Sequence, residues 1–160
     1  MLDDLQKQFT LERQNEQFYR ALASAADVVN WFGAKKYFES AADDEQSHAL
    51  RVREYLIARN EYPKFEPLEP IPFINGSDYK GMFELAMGRE NITTASLREK
   101  YMTALKDDPQ TAAFLASSQG DWPGFLQEQT DSERELNDII ISVSRLSMDG
   151  IQTFDLHLAQ

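Results

Sequence analysis

Apolar residues recur at three- and four-residue steps through four long segments, the spacing that gathers them on one face of a helix. The pattern predicts helices over residues 3–32, 34–60, 78–107 and 123–147. A proline-rich stretch at 63–76 and a Gly-Asp-Trp-Pro-Gly turn at 120–124 punctuate them. The first connection is tight around Gly33 and the second has to travel, which suits an all-α antiparallel four-helix bundle with a long crossover between its second and third helices. Residues 108–119 open on Asp-Pro and are soon stopped by Gly120 and Pro123, so they read as a broken or kinked start of the fourth helix. A short fifth helix over 150–159 carries Ile151, Phe154 and Leu158, and its apolar face calls for a partner such as another subunit. No linker divides the chain, and residues 1–160 are expected to form one domain.

Following each inward seam shows which polar residues stand where apolar ones belong. On the first helix Leu5, Glu12, Tyr19 and Ala26 share a face, and Glu12 interrupts the stripe. On the second, one line runs Phe38, Glu45, Val52 and the next Ala41, His48, Tyr55, so both members of a Glu-x-x-His pair lie on the core side, one turn apart. The third reads Phe83, Met87, Glu90, Thr94, Leu97, Tyr101, with Glu90 near mid-helix. Taken singly, Glu12 or Glu90 reads better as a solvated residue near a helix edge. Their agreement in height across three helices points instead to a shared site.

A buried, unpaired carboxylate costs several kcal/mol or stays protonated, so three of them converging on a histidine require a cation. Composition narrows which one. The chain has no cysteine, which removes disulfides, thiolate sites and iron–sulfur clusters and leaves oxygen and imidazole ligands. Carboxylates can bridge two ions, and an imidazole nitrogen suits iron better than calcium or magnesium. The net charge of −11 disfavours nucleic acid and anionic membranes and favours cations. With an acidic amino terminus, MLDDLQKQF, and no long apolar run, the expectation is a cytoplasmic protein without a membrane span.

Leu11-Glu12 through Tyr19, followed by FESAADDEQSHALRVREYL at 38–56, resembles the first half of a bacterial-type non-haem ferritin and is similar also to the rubrerythrin bundle. The Glu12-to-Glu45 interval matches that family's spacing without a gap. GRENIT, FLQEQ at 125–129 and GIQTFDLHL at 150–158 extend the resemblance along nearly the whole chain. It implies an iron-storage subunit with ferroxidase activity, which oxidises Fe(II) with O2 or peroxide at a diiron centre and keeps ferric mineral in a homo-oligomeric cage, typically a 24-mer. Glu12, Glu45 and His48 would hold the first iron, with Glu45 bridging to a second held also by Glu90. Tyr19 matches the tyrosine beside ferritin iron centres, and reads equally as an ordinary core aromatic.

The fourth helix departs from the family. Its seam reads Phe125, Gln129, Ser132, Leu136, Ile139, Val143, and bacterial ferritins commonly have glutamate where Ser132 stands. Glu128 and Asp131, with Asp44, stand where those ferritins resemble a third, weaker iron site; a solvated acidic face explains them too, and a one-residue change of register would turn Glu128 and Asp131 inward as ligands. Rubrerythrin-like peroxide reduction usually adds a cysteine-rich iron site, absent here. Haem binding of the bacterioferritin kind usually needs a methionine after the helix-B glutamate, where Gln46 stands, so no haem is expected. A DNA-protecting mini-ferritin would share its site between subunits. The remaining alternative is a ferritin-fold cage or interaction protein whose metal centre is partly degraded and non-catalytic.

Overall fold

The computed structural model describes residues 2–118, 120 and 122–160. Among them are six helices and no strand: α1 (Leu2–Val28), α2 (Phe32–Ala58), α3 (Tyr79–Asp107), α4 (Pro109–Ala116), α5 (Phe125–Val143) and α6 (Met148–Leu158). Helices α1, α2, α3 and α5 form the four-helix bundle.

The first turn lies a few residues earlier than the apolar pattern predicts. Asn30 takes a left-handed backbone (φ 63°), a conformation asparagine tolerates, and the Trp31 amide returns to the Ala26 carbonyl at 3.0 Å, closing α1. Gly33 is therefore inside α2, not in the turn. Its role is close approach: a Cβ there would lie 2.0 Å from the Asp155 carbonyl oxygen. The Asp155 carboxylate, buried on α6, accepts the Gly33 and Ala34 amides at 3.0 and 2.8 Å. Helix α2 has no side-chain cap of its own, so α6 supplies one, and its negative charge complements the helix dipole.

The apolar face of α6 finds a partner within the chain: Ile151, Phe154 and Leu158, partly buried, pack against the core cluster that includes Ala34, Ile139 and Val143.

The long crossover, residues 59–78, runs along α1. Gln6 donates to the Tyr62 carbonyl (2.7 Å) and accepts from the Lys64 amide (2.9 Å); Gln14 does the same for Glu69, and Arg13 donates to the Glu66 carbonyl. The backbone of a segment without regular structure is satisfied in this way.

Residues 109–116 are a separate helix and not the start of α5. Asp108 caps α4, Pro109 occupies its first turn, and Arg59 from the end of α2 grips Asp108 at 2.9 Å. Phe114 stacks on Tyr55 with ring centroids 4.0 Å apart. The chain then turns at Gly124, where a Cβ would lie 2.3 Å from the Ala116 carbonyl oxygen, and α5 begins at Phe125.

The core is divided. One apolar cluster gathers Tyr19, Leu22, Phe38, Phe83 and Leu136; the other gathers Leu5, Phe9, Val52, Leu97, Phe114 and Phe125. Between them the buried positions are polar: Gln8, Glu12, Asn15, Glu45, Glu90, Thr93, Thr94 and Gln129.

Candidate metal centre

Each seam residue inherits its place from its helix. Seven-residue spacing stacks Glu12 between Leu5 and Tyr19 on α1, all three essentially inaccessible to solvent. Glu45 lies between Phe38 and Val52 on α2, and the three-residue step brings His48 alongside it. One ligand atom from each of Glu12, Glu45 and His48 lies within 4.8 Å of the others, a spacing that could hold a cation.

The hydrogen bonds leave oxygens free at the centre. Gln8, four residues before Glu12, donates to Glu12 Oε1 at 2.6 Å, and Glu12 Oε2 has no hydrogen-bond partner although fully buried. Asn15 donates to Glu45 Oε1 at 3.4 Å and to Thr93 at 2.9 Å. His48 Nδ1 lies 3.4 Å from Glu45 Oε2, while Nε2 lies 3.3 Å from Glu128 Oε2. Glu128 is held in turn by Arg51 at 2.8 Å, whose guanidinium sits 4.2 Å over the Phe125 ring.

On the opposite side, Glu90 of α3 accepts from the Tyr19 hydroxyl on one oxygen and from the Gln129 amide on the other. Ser132 lines the same cavity with Tyr37, Asp44 and Glu135. Asp131 points elsewhere: it is exposed and takes 3.1 Å hydrogen bonds from Gln127. The seam Phe125, Gln129, Leu136, Ile139, Val143 is buried as the periodicity reads it, so α5 is not shifted by one residue. Glu128 reaches His48 from the flank of that seam, and Asp131 is not brought to the centre.

Burial and clustered charge make this a site that holds protons. Burial first, and then the neighbouring Glu45 charge, push the Glu12 carboxyl well above the ordinary carboxylate range. The same two causes push Glu90 up to about 7, against the hydrogen bonds from Tyr19 and Gln129. Burial disfavours the His48 imidazolium, but Glu128, Glu45 and Glu12 outweigh it and raise the imidazole well above its usual value. Burial and Glu90 raise the Tyr19 hydroxyl, which stays a proton donor.

Sequence reasoning missed Gln8, Asn15 and Arg51. The first two had a signal, since they stand four residues before and three after Glu12 on the same helix face. Arg51 had none, because its partners belong to α5 and the turn before it.

A four-helix bundle built around a carboxylate- and histidine-lined layer in its own core is the class that fold and site define. The chain belongs to the ferritin-like domain family, whose profile matches residues 2–146. It is 24% identical to the bacterial non-heme ferritin of Escherichia coli O157:H7 over 162 aligned residues, covering 99% of this chain and 93% of the relative. It is 27% identical to the chloroplastic ferritin-2 of Vigna unguiculata over 93% of this chain, and spans 60% of that longer protein. Among solved structures, the ferritin of the multicellular green alga Ulva pertusa superposes with a TM-score of 0.88 at 23% identity, covering 99% of this chain and 82% of the algal one. Among the described residues no helix is long and apolar enough to cross a membrane.

Proposed function

We propose that this chain is an iron-storage subunit that binds Fe(II) at the Glu12/Glu45/His48 centre and oxidises it with O2 or peroxide. The observation that carries the reading is a buried carboxylate oxygen, Glu12 Oε2, left without a partner beside Glu45 and His48. Such an orphan is costly away from water and is relieved by a cation. Two carboxylates and one imidazole form a hard-to-borderline donor set that fits Fe(II).

Fe(II) is the substrate here: each ion gives up one electron, and O2 or peroxide accepts the electrons. The side chains position it and manage protons. Glu128 accepts a hydrogen bond from His48 Nε2–H, which leaves Nδ1, beside Glu45, to face the metal. Cation binding displaces the protons that Glu12 and His48 carry, and the acidic groups at the cavity mouth, Asp44 and Glu135, draw cations towards it. Tyr19 and Gln129 hold Glu90 ready for a second ion that Glu45 bridges to the first. With Gln129 and Ser132 supplying no charge, that second ion is held more weakly.

The proposal extends to a homo-oligomeric cage, typically a 24-mer, storing ferric mineral. Leu50, Ile57, Tyr62 and Phe65 expose a run of large apolar side chains along α2 and the start of the crossover, which supports burial against other subunits. A native mass measurement tests assembly.

The test of chemistry is anaerobic Fe(II) loading followed by air. A fast rise of ferric absorbance is expected in the unaltered chain and its loss in Glu45→Ala and His48→Ala. An unchanged rate in both variants removes the ferroxidase reading. Uncharged Gln129 and Ser132 on the α5 side favour one second reading, a ferritin-fold cage with a non-catalytic centre, and that reading predicts no fast phase in the unaltered chain.

A further inference from the structure

Lys100 is a buried lysine that the proposed chemistry does not use. It sits on α3, 9% exposed, ten residues beyond Glu90 and towards the second apolar cluster. Burial pulls its ammonium down, while Asp4 and Glu12 favour the charged form. Desolvating an ammonium is costly, and lysine is rare in such positions unless it is paired or hydrogen-bonded.

Its contacts form a chain that ends at the centre. The Lys100 ammonium donates to the Ser96 hydroxyl and lies 3.5 Å from the Ser96 carbonyl oxygen. The Ser96 hydroxyl donates to Gln8 Oε1 at 3.3 Å, and Gln8 Nε2 donates to Glu12 Oε1 at 2.6 Å. Gln8 and Glu12 have no solvent exposure, so no water competes for these groups from outside.

The direction of that chain is set at one end. An ammonium has donors only, so Ser96 must accept from it and has a single proton to pass on. That proton goes to the Gln8 carbonyl oxygen, and an amide whose oxygen is engaged must present its NH2 at the other end. Glu12 then receives a donor on Oε1, and Oε2 is the oxygen left facing Glu45 and His48. Without the charge, the serine hydroxyl can turn away and the amide can flip. A flipped amide presents its oxygen to the carboxylate.

We propose that Lys100, acting through Ser96 and Gln8, is a positioning residue that fixes the amide polarity and so dedicates Glu12 Oε2 to the first metal ion. Because this rests on the metal-binding reading, the experiment separates the two. Co(II) alone serves as the probe, with affinity from titration calorimetry and geometry from its visible ligand-field bands. The chain as it stands binds Co(II), and Glu12→Ala abolishes binding at that site; no binding in the unaltered chain overturns both readings.

Given binding, Lys100→Met and Ser96→Ala are each expected to weaken Co(II) about tenfold, the range typical of partners behind a ligand, and to change the band pattern alike. The double variant should lose no more than either single one, because both cut the same chain. Lys100→Arg, also a donor only, should restore affinity and bands. Affinities within twofold of the unaltered chain in both Lys100→Met and Ser96→Ala overturn the proposal, as do additive losses or failure of Lys100→Arg to restore the bands. Should Lys100→Met not fold, Ser96→Ala, which removes one hydroxyl, decides alone.

Discussion

The two sides of the polar layer are built differently. On the α1–α2 side, Glu12, Glu45 and His48 bring ligand atoms within 4.8 Å of one another, and one carboxylate oxygen is left unpartnered. On the α3–α5 side the buried Glu90 has both carboxylate oxygens engaged by neutral donors, Tyr19 and Gln129, and Ser132 adds only a hydroxyl. On the proposed reading the first side offers an oxygen to an ion directly, whereas at the second an ion must share Glu90 with its hydrogen-bond donors. Charge decides which is tighter, since a second ion gains little from an amide and an alcohol.

The sharpest way to break this comparison is to remove one carboxylate from each side. Glu12→Gln is expected to weaken the first Co(II) or Fe(II) ion by about 100-fold or more, because a direct charged ligand is lost where even partners behind ligands cost 10- to 100-fold. Glu90→Gln should leave the first ion within about threefold and abolish only the second. Calorimetric titration of both variants checks this. Equal losses at the first ion would show that the two sides act as one unit.

That division also tracks what could be read from the chain. The α1–α2 side was legible because two uninterrupted 27-residue helices, joined by a short turn, keep Glu12 and Glu45 in phase with their apolar neighbours. A seven-residue period then carries each side chain's direction across the whole helix. The α5 seam was legible too, yet its starting point was not: Asp108 and Pro109 start a helix whose end, before Gly124, depends on packing of Phe114 and Leu115 under α2. The mistaken place for Gly33 has the same origin, since its requirement comes from Asp155, 122 residues away. Gln8 and Asn15 share a helix face with Glu12 and so carried a signal, whereas Arg51 carried none because its partners, Glu128 and the Pro123 carbonyl, are set by tertiary contact.

The next largest effect concerns the protons that occupy the layer without metal. Glu90 titrates at about 7 in the folded chain against 4.5 when unperturbed, so between those values the folded state holds a proton the unfolded state has lost. Stability then falls as pH rises from about 4.5 to 7. Glu12 and His48 are shifted upward as well and act in the same direction, His48 above 6.5. Glu128 opposes them only in acid: His48 and Arg51 outweigh its burial and hold its carboxyl low, so its contribution is lost as pH falls below 4.5. Chelator-treated protein should therefore melt several degrees higher at pH 5 than at pH 8, corresponding to roughly 2 kcal/mol. Adding Zn(II) should reduce or reverse the difference, because metal replaces those protons more readily at high pH. A metal-free melting temperature that rises over this range would contradict the proton-filled layer.

The smallest change adds a ligand instead of removing one. Ser132 lines the cavity on α5, one helical turn after Gln129, which already touches Glu90. Ser132→Glu places a carboxylate there, within reach of the cavity that Asp44 and Glu135 already make acidic. In the metal-free protein the added charge should raise Glu90 further and lower the melting temperature slightly at neutral pH. With metal present the sign reverses: the second ion should bind about tenfold more tightly, near 1.4 kcal/mol, while the first is unchanged. Titration with Co(II) separates the two steps. A gain at the first ion, or none at either, would mean that Gln129 and Ser132 do not set the weakness of the α3–α5 side, and that Tyr19 and Gln129 hold Glu90 too firmly for an ion to claim it.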